Sequence, residues 1–404
     1  MTDETPNPML ALALQLEAAS NNPGQLPPAS DALHSRILDA TRKLLTGLET
    51  PESQLMHLAK APVAHGVLRA ALRIRLFERF DEGPPTATDL ARRCGIDVAL
   101  LVRLMRTLAA IGIFTEPSPG LYAHTIKSQT LRQAEHRAVV QGMAETATLM
   151  TALPDFLQTH HWQDPVDVQP TLFGFAHKTD QTMFEWFESQ PEQRAIFAAF
   201  QSSTAALAVC QLEPFLRSLL IAPSPSSSND SSDGPREVTL VDVGGGRGAV
   251  LRQVCHELDP PPHGRIVLQD LPKVLEGVEG GERVEVMPYS FLDPQPVHGA
   301  HTYLFRHIFH NWSDGVVAKI LQNTVAAMEP TSRLVIVDLV LPDGGGASPY
   351  AAFLDVSMMA FGGMERTEAQ WRKILKNAGL QVRRIEPLDA LTPGSDQVME
   401  AGLL

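Results

Sequence analysis

A histidine, His310, lies in the stretch Leu304-Phe305-Arg306-His307-Ile308-Phe309-His310-Asn311-Trp312-Ser313-Asp314, between an apolar run and a helix start. An imidazole there can take a proton near neutral pH. Two carboxylates downstream, Asp338 and Glu365, also fall at element ends. A carboxylate bonded to one ring nitrogen fixes the tautomer and leaves the other nitrogen free to accept a proton. Each residue also has a plain structural alternative. His310 could be a satisfied helix-entry histidine beside His307, and Glu365 could decorate the helix start Glu365-Arg366-Thr367-Glu368. Asp338 follows Leu334-Val335-Ile336-Val337, so it lies at or near the core, where an ionised carboxylate needs a partner to offset its desolvation.

A second constellation is Val241-Asp242-Val243-Gly244-Gly245-Gly246-Arg247-Gly248-Ala249, which ends one apolar strand and opens a helix. Glycines let the backbone approach a ligand, and a helix N-terminus offers free N–H donors. Gly244, Gly246 and Ala249 satisfy the loose dinucleotide pattern G-x-G-x-x-G/A, while Asp242 and the D-x-G-x-G-x-G spacing fit a positively charged nucleoside better. A ligand-free strand-to-helix turn is the remaining alternative. Asp270, in Leu268-Gln269-Asp270-Leu271-Pro272, ends the next strand. Its carboxylate could hold both ribose hydroxyls, or cap a helix that Pro272 begins.

The elements that must position these residues follow from patterning. A low-complexity stretch, Ala222 to Pro235, separates a helical half from an alternating half, and Asn21 to Ser30 is a second Pro/Asn-rich break. After the linker, strands are expected at Glu237–Val243, Arg265–Gln269, Val284–Tyr289, Thr302–Leu304, Leu334–Leu341, Val382–Ile385 and Val398–Leu403. Helices are expected at Gly248–Leu258, near Lys273, at Asp314–Met328 and at Glu368–Asn377. This alternation implies a doubly wound, mostly parallel α/β sheet. Before the linker, Leu55–Phe80 and Thr88–Ala91 read as helical, Cys94-Gly95-Ile96-Asp97 as a turn, Val98–Ile111 as a helix and Phe114–His124 as a hairpin. That is the order of a winged helix. Arg103 and Arg106 alone make no phosphate track, so a scaffold or dimer interface is favoured over DNA binding. Residues 138–220 read as aromatic-rich helices.

Composition narrows the function classes. With 404 residues the chain can hold two or three cores, and a formal net charge of -13 disfavours nucleic acid. Cys94, Cys210 and Cys255 are scattered, so neither a disulfide framework nor a structural zinc site is expected, and a reducing, cytoplasmic setting fits. The acidic start Met1-Thr2-Asp3-Glu4 has no basic n-region, so a signal peptide is not expected; nor is a membrane span.

Together, VDVGGGRGAV, LQDLP, FRHIFHNWSD, VDLVLP and GGMERT, in this order, resemble class I S-adenosylmethionine-dependent O-methyltransferases of the plant caffeate/flavonoid type and their fungal counterparts in secondary metabolism. The resemblance covers about Ala59 to Leu404. It implies a seven-stranded Rossmann-like sheet and a division into a helical, winged-helix-like dimerisation domain (1–130), a helical connector lining the substrate pocket (131–221), a flexible loop (222–236) and a cofactor-binding catalytic domain (237–404). His310 matches the family's catalytic base, and Asp338 and Glu365 match the acidic residues that orient it. Asp242, Gly244, Gly245, Gly246, Asp270, Leu271, Ser290, Phe291 and Arg306 fall at cofactor-lining positions. The implied cofactor is S-adenosylmethionine, leaving S-adenosylhomocysteine, with no metal. The implied partners are a small hydroxylated aromatic and a second copy of the chain, with no nucleic acid or membrane. For the substrate, Met358, Met359 and Phe361 are expected on a helix facing the crevice, and Met183, Trp186, Phe197 and Phe200 on the aromatic-rich helices. There are two departures. Ser290-Phe291 stands where the family often has an acidic residue, and His310-Asn311-Trp312 replaces His-Asp-Trp. The expected reaction is methylation of a phenolic or enolic hydroxyl. The alternatives are a dehydration or pericyclic rearrangement using the cofactor as a fixed charge, a DNA-binding regulator, and a nicotinamide-dependent oxidoreductase.

Overall fold

The computed structural model describes residues 8–21, 27, 32–80, 83–220, 238–258, 264–281, 283–388 and 395–404. The low-complexity stretch 222–236 lies outside them, as does most of the Pro/Asn-rich break. The chain divides into two compact units, Met1–Pro62 and Val63–Leu404. The first carries α1 (Pro8–Asn21), α2 (Ala32–Leu48) and the beginning of α3 (Pro51–Arg73). Its Leu45, Leu48, Leu55 and Leu58 are exposed.

The second unit begins with the rest of α3, then α4 (Ala87–Cys94), α5 (Val98–Ala110) and a hairpin of β1 (Phe114–Ser118) and β2 (Leu121–His124). Local signals set these bounds. Thr86 and Asp97 accept the Asp89 and Leu100 amides as N-caps, and Gly95 ends α4 in a left-handed conformation. Leu90, Leu101, Met105, Leu108, Phe114 and Tyr122 form its core with Leu76 and Phe77. Next come α6 (Ile126–Thr130), α7 (Ala134–Thr159), α8 (Leu172–His177), α9 (Met183–Ser189) and α10 (Pro191–Leu220).

The sheet comprises β3 (Val238–Val243), β4 (Arg265–Asp270), β5 (Val284–Pro288), β6 (Thr302–Arg306), β7 (Arg333–Asp338), β10 (Leu380–Pro387) and β11 (Gln397–Leu403). Between β7 and β10, β8 (Val340–Leu341) pairs with β9 (Arg366–Thr367). The order is β10-β11-β7-β6-β3-β4-β5, parallel except for β11, which runs against both neighbours. Strand alternation sorts the side chains onto two buried faces. Val241, Val243, Tyr303, Phe305, Leu334 and Ile336 pack under α12 (Asp314–Val325) and α14 (Glu368–Asn377). Leu240, Leu268, Leu304, Val335 and Val337 pack under α10 and α11 (Ala249–Glu257). Asp338 continues the parity of Leu334 and Ile336, which turns it inward at the strand end. The chain order reverses between β3 and β6, so a crevice opens beyond their carboxyl ends.

Three expectations need correction. The Lys273 region is a run of turns, not a helix; Gly277 in a left-handed conformation, followed by Gly280 and Gly281, ends any regular path. The Leu334–Leu341 strand breaks after Asp338, where the chain leaves the sheet to pair with β9. The segment after it, α13 (Pro349–Met358), stops at Met358, so Met359 and Phe361 sit in the following turn.

Candidate active site at the sheet switch point

Beyond β6 the chain makes a single 3-10 turn, Phe309–Asn311, before Ser313 caps α12. His310 sits in that turn and is buried. Its ring is fixed: Nδ1–H donates to Glu365 Oε1 at 2.7 Å, since a carboxylate can only accept. That leaves Nε2 as the acceptor.

Four consecutive residues hold this turn. Gly363 lies so close to the His310 carbonyl that a Cβ there would collide with backbone. The Met364 amide donates to that carbonyl at 3.0 Å. Glu365 takes the imidazole. Arg366, 1% exposed, donates to Phe309 O at 3.1 Å and Trp312 O at 2.7 Å, and pairs with Asp314 at 2.9 Å. In GGMERT the sequence points to the glutamate alone. Arg366 escaped because an arginine at a helix entrance looks solvated.

Asp338 is fully buried, and among the described residues neither carboxylate oxygen has a hydrogen-bond partner. Burial raises its pKa to about 7, against the pull of His310. Burial also works against a charge on His310, but the carboxylates of Asp338, Glu365 and Asp396 outweigh it and raise the imidazole to about 9. Asp396 itself, opposed by burial, is held down at about 2 by His307 and Arg306. His307 Nε2–H donates to it at 2.7 Å. Neither His307 nor Asp396 was expected in the site. They lie 89 residues apart, and the pair exists only because β11 returns beside β7.

Across the crevice, Gly244 and Gly246 adopt φ of +73° and +60°. A side chain on Gly244 would strike Ile308, and one on Gly245 would strike Asp242. Asp270 accepts the Gly246 amide at 2.8 Å and the Leu271 amide at 2.7 Å, one per oxygen. With no helix at Lys273, its alternative as a helix cap is set aside. Asp242 is buried under the turn and raised to about 7 by burial and by Asp270, against Arg306. Arg306 Nε is buried and has no hydrogen-bond partner among the described residues. Phe291 stands edge-on to Trp312 at 5.9 Å, and Ser290 Oγ accepts the Leu292 amide at 3.3 Å. Leu271 is half exposed. The glycine cradle and the buried polar atoms left without partners fit a nucleoside-bearing ligand.

Of the expected substrate residues, Met183, Trp186, Phe197, Met359 and Phe361 share one apolar cluster with Phe173 and Phe187. Met358 and Phe200 lie outside it, and Phe200 packs on Gly142. A cavity of about 460 Å³ reaches Glu365 and is lined by Met359, Trp162, Asp164 and Asp355, of which only Met359 was anticipated.

Known proteins decide the family. An O-methyltransferase domain matches residues 235–381, and an O-methyltransferase dimerisation domain matches residues 56–134. O-methyltransferase lepI of Aspergillus flavus is 32% identical over 369 residues, 89% of this chain and 92% of that protein. The chain belongs to the O-methyltransferase family. Demethylsterigmatocystin 6-O-methyltransferase of Aspergillus flavus is 29% identical over 354 residues, covering 86% of this chain and 88% of that one. LepI in complex with SAM superposes with a TM-score of 0.81 and 29% identity, over 97% of this chain and all 100% of that one. A pericyclic reaction enzyme of known structure matches with the same values. OxaC in complex with SAH and oxaline gives 0.80 at 28% identity, over 98% of this chain and 100% of that one. This O-methyltransferase therefore carries the Rossmann-like methyltransferase sheet and uses S-adenosylmethionine. Among the described residues no helix is long and apolar enough to cross a membrane.

Proposed function

We propose that this chain methylates a phenolic or enolic hydroxyl of a small aromatic, polyketide-like metabolite, with His310 as general base. The observation that carries the reading is the imidazole itself, fixed through Nδ1 by a buried carboxylate while Nε2 remains to accept a proton. Asp242, Gly244, Gly245, Gly246, Asp270, Leu271, Ser290, Phe291 and Arg306 would hold the methyl donor. When bound, S-adenosylmethionine supplies a methyl carbon already activated by the positive charge on sulfur.

The protein's task is then to make the acceptor oxygen nucleophilic. A phenol has a pKa of ~10, so moving its proton to an ordinary imidazole at 6.5 costs about 5 kcal/mol. With His310 raised to about 9, that transfer costs about 1.4 kcal/mol. Asp338 and Glu365 supply this difference by stabilising the imidazolium, and Glu365 also fixes the ring's aim. The consequence is that the free enzyme's imidazole must shed its own proton first, so reactivity rises with pH. The aromatic cluster with Met183, Trp186, Phe197, Met359 and Phe361 would offer a flat ligand its walls.

The match to a dimerisation domain supports a homodimer built through residues 1–130, with 131–221 as pocket wall, 222–236 as linker and 237–404 as the catalytic part. The scattered cysteines and the reducing setting they fit favour work in the cytoplasm. The similarity to a pericyclic reaction enzyme favours one second reading, a rearrangement without methyl loss. Incubation with methyl-labelled donor and a panel of hydroxylated aromatics separates the two. Labelled ether with one equivalent of S-adenosylhomocysteine supports methyl transfer, and an isomerised product with intact donor refutes it.

A further inference from the structure

His307, His310 and Asp338 each bring one metal-ligating atom to within 4.8 Å of the other two. The proposed reaction has no use for His307. The two rings come from the short connection after β6, 5.1 Å apart and steeply inclined, and Asp338 arrives from the adjacent strand, where the His307 amide donates to Val337 O at 2.9 Å. His307 holds a left-handed φ of +53°, a conformation a non-glycine residue keeps only when its surroundings impose it.

Two independent observations point to a cation. First, each histidine has one nitrogen tied to a carboxylate, His310 Nδ1 to Glu365 and His307 Nε2 to Asp396, both at 2.7 Å. Such pairs orient metal-binding imidazoles and raise their basicity, and they leave His310 Nε2 and His307 Nδ1 as the free donors. Second, Asp338 is wholly buried, and among the described residues both its oxygens lack a hydrogen-bond partner, so two ligating atoms stand unused beside the rings.

We propose that His307, His310 and Asp338 bind a divalent transition-metal ion such as Zn2+, and that this ion silences the site by taking the nitrogen that would accept the proton. Two imidazoles and one carboxylate with an open position suit Zn2+ or Co2+, whereas Mg2+ and Ca2+ want all-oxygen shells. Bonds of about 2.0–2.1 Å bring ligand atoms to roughly 3.3 Å apart, so the three groups close in by up to about 1.5 Å on binding. The ion takes no part in methyl transfer, and its binding stands whether or not the reaction above is the right one.

The test is a titration of chelator-treated, full-length protein with Co2+, followed by its visible ligand-field absorption, then displacement by Zn2+. One equivalent should bind. Asp338→Asn and His307→Gln should abolish the spectrum. Glu365→Gln and Asp396→Asn should weaken binding about 10–100-fold, and His57→Gln, which removes an exposed imidazole elsewhere, should change nothing. Because His307 sits in a strained turn, Asp338→Asn decides the matter if His307→Gln fails to fold. A Co2+ spectrum unaltered in Asp338→Asn, or no stoichiometric binding to the wild-type protein, overturns the proposal.

Discussion

Replacing Asp338 by Asn removes one negative charge from beside His310 with almost no change in volume. Asp338 makes no hydrogen bond among the described residues, so the change is electrostatic. Ligating atoms of the two residues lie within 4.8 Å. At an effective dielectric of ~20, a separation of that limit is worth about 3.5 kcal/mol, or roughly 2.5 pKa units. Incomplete ionisation of Asp338 near pH 7 trims this, so a fall of about 1–2 units from about 9 is expected. The imidazole thereby becomes a weaker base that is free at lower pH. If roughly half of the lost basicity reaches the transition state, turnover on the alkaline plateau drops about 3–10-fold, while at pH 7 the larger neutral fraction offsets the loss. Stability moves the other way. A carboxyl raised above its unfolded value destabilises the folded state as pH rises past its unfolded pKa, so the amide variant should unfold at equal or higher denaturant above pH 7. Ring-nitrogen NMR of His310 and methyl-transfer rates from pH 6 to 10 read both effects. A His310 midpoint within 0.3 unit of wild type would refute the electrostatic role given to Asp338 (a tolerance of roughly 0.4 kcal/mol).

Arg366→Met should cost about 2–4 kcal/mol by chemical denaturation, because it strands the buried Phe309 carbonyl and the part-buried Trp312 carbonyl, and it should lower turnover by loosening the His310 turn. Wild-type stability in that variant would mean the turn holds itself. Gly244→Ala adds about 1 kcal/mol of backbone strain and a methyl against Ile308. The melting-temperature rise given by S-adenosylhomocysteine should shrink or vanish, and an unchanged rise would place the donor elsewhere.

The strands carrying the site could be read from sequence because they are buried on both faces and therefore nearly all apolar. β7, with Leu334 to Val337, is the clearest case, and its polar last residue stood out for that reason. The glycine turn was legible because close approach admits few other residues. What stayed hidden depends on contacts between distant segments. Asp396 meets His307 only through the antiparallel return of β11, and no local pattern marks it. Arg366 reads as a surface charge until the 309–314 turn closes over it. Near Lys273 a helix is expected, yet Gly277, Gly280 and Gly281 end the path in turns. Among the aromatic helices, spacing alone could not separate Phe200, packed on Gly142, from the residues that share the Phe173 cluster.

The central claim is that His310 takes the acceptor's proton and does not hold the cofactor. His310→Gln, which keeps a polar side chain of similar reach, tests it in one pair of measurements. Formation of S-adenosylhomocysteine with a phenolic acceptor should fall by about 10²–10⁴-fold, the usual worth of a general base, while binding of S-adenosylhomocysteine, followed by calorimetry, stays at the wild-type affinity. Near-full methyl transfer by this variant would contradict the account, as would a loss of turnover matched by an equal loss of cofactor affinity.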